Sequence, residues 1–544
     1  VDGRSVSDRV RIAAVLVFAA VLFVVGIGRG SLWDQDEAKY TQVAREILLT
    51  RDPITLHANG RPWFVHPPLY MWLQALTGRT FGFSEVSARI WSAVFGVVGI
   101  YATILVGEML FGRGPALLAG IVLATTFEYF VLSRLAIFDV VLTAFMLLAF
   151  YAFLRAVRTG RSRFRYWAAL WVGLGILTKG PIALLLPGLV TAAYLAIRRI
   201  GVGGVRAWIG PGVVAAVLGF SWYIIEWARH GWEFVRIVIG YYTVTRFVGV
   251  VEGQTGPWWY YAPVFGIGAF PWTAFVLAAL PYHIRRRRED GSLLVLLWIG
   301  VTVVFYSLAG TKLPNYVLPA FPFTALSVAV VWHDAFAGQS PAKRVLGIAF
   351  AGTTVALIVF AGEIAAFARI KYPDDLVAVQ RHLIAVAAAL ALCLAVAAAA
   401  YLARRPRASF AVVAATTVVL AVAVVGRTLP LIDARRPIRP VAEALRRAVP
   451  PGETFVGYRI SDHQTLLYYS ERRAQWVDDP VEVLAYLCLV DRFILAGRPP
   501  EIDALLRFAG TRAAFDVREL AKHPELVAIE IERHGSCPVP LLGR

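Results

Sequence analysis

Apolar runs long enough to cross a bilayer recur thirteen times along this chain, near 10–28, 88–110, 114–132, 140–157, 165–178, 181–197, 208–227, 261–281, 292–309, 314–333, 345–367, 382–403 and 408–428. A run of about 20 apolar residues spans the hydrocarbon core as a helix, and only a helix satisfies its own backbone there. With 58% hydrophobic residues and 17% charged, most of these runs cannot all be hidden inside a soluble core. The chain therefore reads as a polytopic α-helical membrane protein. Val10 to Ile27 lacks a small-residue cleavage site and reads as a retained first helix.

The formal charge of +18 is distributed in a way that speaks against nucleic acid. Basic residues gather in short clusters between apolar runs, at Arg4/Arg9/Arg11, Arg155 to Arg165, Arg198/Arg199/Arg206, Arg285 to Arg288, Lys343/Arg344 and Arg404/Arg405/Arg407. No basic stripe is interleaved with exposed aromatics, as a nucleic-acid surface requires. Such clusters hold loops on the cytoplasmic side. The alternate loops carry the acids Asp34/Asp36/Glu37, Asp139, Glu233/Glu252 and Asp374/Asp375. A cytoplasmic N-terminus satisfies both patterns.

The sequence divides into a membrane domain over 1–434 and an extracytoplasmic α/β domain over 435–544. The first outer loop, about 29–87, holds a one-faced stripe at Tyr40, Val43, Ala44, Ile47 and Leu48 and a second amphipathic segment at Pro68 to Leu73. Both suit helices lying in the interface plane. Pro257-Trp258-Trp259-Tyr260-Tyr261 suits an aromatic belt. In the C-terminal part, 454–458, 492–496 and 527–531 read as strands, and 441–449, 481–489 and 502–508 as helices. Cys488 and Cys537 can pair or stay free, and Cys393 sits in an apolar run.

Chemistry concentrates at the outer ends of the runs. Trp33-Asp34-Gln35-Asp36-Glu37-Ala38-Lys39-Tyr40 places three carboxylates in four residues at a membrane boundary, which is expensive without a function. Asp34 and Glu37 equally fit a capping box, with Asp34 as N-cap and Glu37 at N3. Asp36 has no duty in such a cap and is the candidate catalytic base. Asp139 is either the cap of the fourth helix or a second site carboxylate. Only six of the 54 basic residues are lysine, and three of them, Lys39, Lys179 and Lys312, stand at outer helix junctions. A compact ammonium suits a phosphate, although lysines at helix ends also snorkel. Arg246, Arg89 and His66 are weaker candidates of the same kind. The three cysteines give no metal spacing, no cofactor motif is present, and a divalent metal has no clear ligand set.

These motifs together resemble the GT-C membrane glycosyltransferases. The Asp-Glu-x-Lys-Tyr40 element, the lone Asp139, Leu-Thr-Lys179-Gly-Pro, the Trp-Trp-Tyr-Tyr261 segment and Lys312-Leu-Pro-Asn-Tyr316 are similar to the branch containing lipid A aminoarabinose transferases and protein O-mannosyltransferase-like enzymes. The resemblance implies a GT-C fold of about thirteen transmembrane helices in the bacterial inner membrane, with the active site facing the periplasm. It implies inverting transfer of a sugar from a polyprenyl-phosphate donor, of the undecaprenyl-phosphate type, to lipid A, another glycolipid or a protein. Asp36 and Asp139 then match the catalytic acids. Lys39, Tyr40, His66, Lys179, Arg246, Lys312 and Tyr316 match donor-phosphate or cavity positions, with Asp34, Glu37 and Arg89 in support. The chain departs from aminoarabinose transferases where their Glu-Lys-Pro reads Val65-His66-Pro67.

A transporter or lipid flippase is the rival reading, since such proteins also place ionisable groups in membrane cavities. It predicts internal symmetry and mid-membrane ionisable residues. No repeat is visible here, and the ionisable residues collect at one face. No Rossmann-type glycine fingerprint points to a nucleotide sugar.

Overall fold

The computed structural model describes residues 5–34, 36–250, 253–353, 376–433, 438–461, 463–511, 514–523 and 525–534. By contacts these divide into two compact units. One comprises Val1–Ile27, Phe64–Tyr70 and Arg89–Thr428; the other comprises Gly28–Trp63, Met71–Ala88 and Leu429–Arg544.

The first unit is helical. Seven helices among the described residues are long and apolar enough to cross a membrane, or eight if the bent pair Tyr261–Gly268 and Thr273–Arg285 is one span. The expected thirteen runs differ from this for readable reasons. The run 114–132 is broken into Arg113–Ala124 and Phe127–Leu132, because Thr125 and Thr126 turn the backbone between them. The Thr125 hydroxyl accepts Trp272 Nε1 at 3.1 Å, and its carbonyl accepts the Thr417 hydroxyl at 2.5 Å, so the break is pinned from two sides. The helices Val6–Val24 and Ser162–Lys179 form but carry three charges each, and Ile182–Arg198, at 17 residues, is one residue shorter than the 18 that count as a span. Most of 345–367 lies outside the described residues.

Aromatic packing organises the interior of this unit. Trp298 stacks on Phe323 with centroids 4.4 Å apart and meets Phe150 edge-on at 4.8 Å. Arg134 closes the end of the first helix, its guanidinium donating to the carbonyls of Leu22, Phe23 and Val25 at 2.8–2.9 Å. Those carbonyls have no intrahelical partner, so a buried cation supplies one. Trp258 and Trp259 are exposed, as an aromatic belt requires.

The second unit contains a five-stranded sheet. Strands β1 (His57–Ala58) and β2 (Arg61–Pro62) form a small hairpin. Strands β3 (Thr454–Tyr458), β4 (Arg473–Val477), β5 (Arg492–Gly497), β6 (Phe515–Lys522) and β7 (Val527–Arg533) form the sheet in the order β4-β3-β5-β7-β6. Both β3 pairings are parallel, and the β5–β7–β6 pairings are antiparallel. Alternation sends Phe455, Ile494 and Ala496 to one face with Val441, Leu445 and Leu466. Val456, Tyr458 and Leu495 go to the other with Val483, Leu487, Ile502 and Leu505. Helices thus cover both faces, as parallel strands require.

Three expected strands and three expected helices form within a few residues of their expected bounds. Strands β4 and β6 and the helix Gln464–Ser470 were not expected. The first-loop helix Glu37–Thr50 also differs from a surface amphipath. Gln42 and Glu46 on its polar side are buried as well. The Glu46 carboxylate accepts the amides of Asn59 and Gly60 at 2.8 Å each and Gln42 Nε2 at 2.9 Å. Cys488 takes part in a disulfide and Cys393 is free, while Cys537 lies outside the described residues.

Candidate functional site

In the helical unit the candidate residues meet at Asp139. This residue opens the helix Asp139–Thr159 and is 5% exposed. Its carboxyl does not cap that helix. Oδ1 accepts Lys179 Nζ at 2.5 Å, and Oδ2 accepts Asn315 Nδ2 at 2.8 Å. Lys179 reaches it from the last turn of Ser162–Lys179, where Gly180, at φ +91°, lets the chain reverse at once. Asn315 comes from the 3₁₀ turn Pro314–Ala320, which Pro314 starts. Three separate elements thus converge on one carboxylate.

Aromatic rings frame this pair. Lys179 Nζ lies 4.8 Å from the Tyr316 ring and 5.2 Å from the Phe138 ring. Such faces favour a cation. His66 meets Phe138 at 4.7 Å, and Tyr70 meets it at 6.0 Å while its hydroxyl bonds the Ser92 hydroxyl at 2.9 Å. Tyr316 continues to Tyr306 at 5.2 Å, and Tyr306 to Tyr261 at 6.4 Å. A held ammonium beside aromatic faces suits a substrate with both an anionic group and an apolar surface.

Other basic candidates have structural duties. Lys312, 7% exposed, donates to the carbonyls of Ser307, at 3.0 Å, and Ala309. It closes the C-terminal end of Asp290–Leu308 instead of snorkelling into solvent. Arg89 is buried and donates to the Ile27 carbonyl at 3.0 Å. Arg246 bonds Gln254 Oε1 at 3.0 Å, and its Nε is buried without a partner among the described residues.

In the second unit, the first-loop acids take separate paths. The capping box assigned to Asp34 and Glu37 is corrected. The helix begins at Glu37, so Asp36 holds the N-cap position, and its side chain makes no cap bond. Asp34 instead accepts the amide of Thr465 at 2.9 Å and also its hydroxyl. His463 Nδ1 stands 3.6 Å from the same carboxylate, beyond hydrogen-bond distance. Burial pushes the Asp34 carboxyl up, but His463 and the Thr465 donors outweigh it and hold it below the usual range. Glu37 is buried and accepts the amide of Trp33 at 3.0 Å.

Asp36 is exposed, with the Tyr40 hydroxyl donating to Oδ1 at 2.9 Å. Tyr40 is itself held against Trp63, their centroids 6.1 Å apart. Lys39 is half-buried and makes no side-chain hydrogen bond or ion pair among the described residues. Asp36 is thus the exposed first-loop acid, with the Tyr40 hydroxyl on its carboxylate.

Sequence reasoning passed over Asn315, although it lies inside the Lys312-to-Tyr316 motif, and Glu128, the lone acid of the 114–132 run. It also had no means of finding Thr465 and His463, more than 400 residues from Asp34. Among the described residues no group of three or more His, Cys, Asp or Glu is arranged to hold a metal ion.

Residues 65–225 match the family described as dolichyl-phosphate-mannose-protein mannosyltransferase. An undecaprenyl phosphate-alpha-4-amino-4-deoxy-L-arabinose arabinosyl transferase of Pseudomonas fluorescens is 29% identical over 334 residues, 60% of this chain and 58% of that protein. An uncharacterized protein of Aquifex aeolicus is 26% identical over 64% of this chain and 68% of its own. This chain spans a little under three-fifths of the length of the arabinosyl transferases it matches. ArnT from Cupriavidus metallidurans bound to undecaprenyl phosphate superposes with a TM-score of 0.82 at 22% identity, covering 95% of this chain and 97% of that one. Its apo form gives 0.76. The chain therefore has the ArnT fold, the GT-C arrangement of membrane helices followed by an α/β domain.

Proposed function

We propose that this protein is a glycosyltransferase of the bacterial inner membrane that moves a sugar from a polyprenyl-phosphate carrier to an acceptor on the periplasmic side. The observation that carries the reading is the cluster of buried Asp139 with half-buried Lys179 and Asn315, set among aromatic rings in a chain with the ArnT fold. The solved ArnT binds undecaprenyl phosphate, and the related transferases are named for an undecaprenyl-phosphate-linked sugar. The α/β domain lies on the periplasmic side in this reading, since an acidic outer-loop pattern precedes it.

The reaction is a single displacement. The acceptor oxygen bonds the anomeric carbon as the bond from that carbon to the phosphate oxygen breaks, and the carrier phosphate leaves with the electron pair. Asp36 takes the proton from the acceptor hydroxyl. Lys179, held by Asp139, supplies positive charge as the carrier phosphate departs, with Lys39, His66 and Arg246 as further contacts. Tyr40 orients Asp36, and Tyr316 packs against Lys179. Lipid A, another glycolipid or a protein is the acceptor.

The test is release of bare undecaprenyl phosphate from its glycosylated form, in membranes with matched expression. Asp36→Asn keeps shape and hydrogen bonding but removes the base, so the rate should fall about 10²–10⁴-fold. Asp34→Asn, which can still accept from Thr465, should keep most activity. Near-normal turnover in Asp36→Asn would remove this loop from the chemistry.

A further inference from the structure

The helix Phe127–Leu132 is too short to cross a bilayer, yet it buries a carboxyl. Glu128 keeps only 9% of its surface open, and its Oε1 is buried without a hydrogen-bond partner among the described residues. Its Oε2 lies against the backbone of Gly268, where an added Cβ would come within 2.2 Å of it and 2.8 Å of the Phe321 ring. The carboxyl has room because residue 268 carries no side chain, and the Phe321 ring lies beside the same glycine.

A buried carboxylate with no counter-charge is costly, so such a group persists uncharged or awaits a partner. Asp139 is engaged by Lys179 and Asn315, and as a carboxylate it offers Glu128 no counter-charge. Gly268 closes the helix that Tyr261 opens, and the rings Tyr261, Tyr306 and Tyr316 run from that helix to Lys179. A packing role would favour an apolar residue here, and a capping role would use the free oxygen.

A neutral carboxyl offers one O–H donor and one acceptor, which is what one sugar hydroxyl both accepts and donates. Aromatic faces suit the apolar C–H side of the same ring. We propose that Glu128, uncharged, is a hydrogen-bonding contact for the sugar of the donor, separate from the contacts to the carrier phosphate. This inference rests on the glycosyltransferase reading above.

The test compares binding of undecaprenyl phosphate with undecaprenyl phosphate carrying arabinose or mannose, using the full chain in nanodiscs. The wild type should prefer one sugar-bearing lipid. Glu128→Ala should weaken binding of that lipid about ten-fold while leaving the bare lipid unchanged, and Glu128→Gln should keep most of the preference. Gly268→Ala, which displaces the carboxyl without removing it, should reproduce the Ala loss. An intact sugar preference in Glu128→Ala overturns the contact, as does a wild type that binds bare and sugar-bearing lipids alike. Loss in Glu128→Gln equal to that in Glu128→Ala overturns the neutral form. A wild type that binds none of these lipids refutes the carrier reading itself.

Discussion

Lys179→Met is the most exacting perturbation of this molecule. It removes the ammonium from Asp139 and leaves the carboxylate with Asn315 as its hydrogen-bond partner among the described residues. The Lys179 and Asp139 side chains are 14% and 6% exposed, so water screens the pair little. At about 4 Å between charge centres and an effective dielectric near 20, the attraction is roughly 4 kcal/mol. Breaking a buried pair from one side typically costs about 3–5 kcal/mol, because the remaining charge stays buried. Asp139→Asn strands the ammonium and should cost a similar amount. The double variant Asp139→Asn with Lys179→Met removes both charges, and should be less destabilised than the sum of the single variants by about 2–4 kcal/mol. Denaturant unfolding of the full chain in detergent, with slopes compared across the four proteins, measures that coupling. Additivity within about 0.5 kcal/mol would refute the ion pair as a stabilising unit.

Lys312→Met should destabilise the protein by about 1–3 kcal/mol through the lost carbonyl contacts of Ser307 and Ala309, measured by the same unfolding. Unchanged stability with weakened carrier binding would return Lys312 to the phosphate. Asp34 ionises more readily when folded than when unfolded. Its contribution is therefore full above the ordinary carboxylate pKa and fades as pH falls through the lowered one. The stability gap between wild type and Asp34→Asn should narrow on acidification across that window, and a gap that widens would contradict the assignment.

What was legible in the sequence followed what is local. The strand Thr454–Tyr458 is recognisable because a compact β-forming segment is bounded by turn residues. Strand β6 was not, since its residues Asp516, Val517, Arg518 and Glu519 are all exposed at a sheet edge and carry no apolar alternation. Asp34 looked like a cap because capping is the local use of such a residue, whereas its real partner, Thr465, is 431 positions away. Asp139 and Lys179 were each singled out, but nothing in their spacing says that one holds the other. The helix break at Thr125 and Thr126 hid inside a continuous apolar run because tertiary hydrogen bonds fix it. That break is also why Glu128 escaped notice among apolar neighbours.

The unit that carries Asp36 is assembled from chain ends. Asp34 bonds Thr465, Arg45 donates to the Tyr468 carbonyl at 2.6 Å, and Asn59 exchanges hydrogen bonds with Ala474, across separations of 431, 423 and 415 residues. At about 5–20 residues per second, a ribosome takes roughly 20–90 s to make the second half of those pairs after the first. For that interval the loop bearing the proposed base has been synthesised without its binding partners, exposed to proteases and chaperones. Premature termination between Asp433 and Thr465 would leave the described membrane helices made and the acid loop unassembled. Quality control of this protein therefore has a natural checkpoint late in synthesis, when the sheet domain first reaches back for the loop.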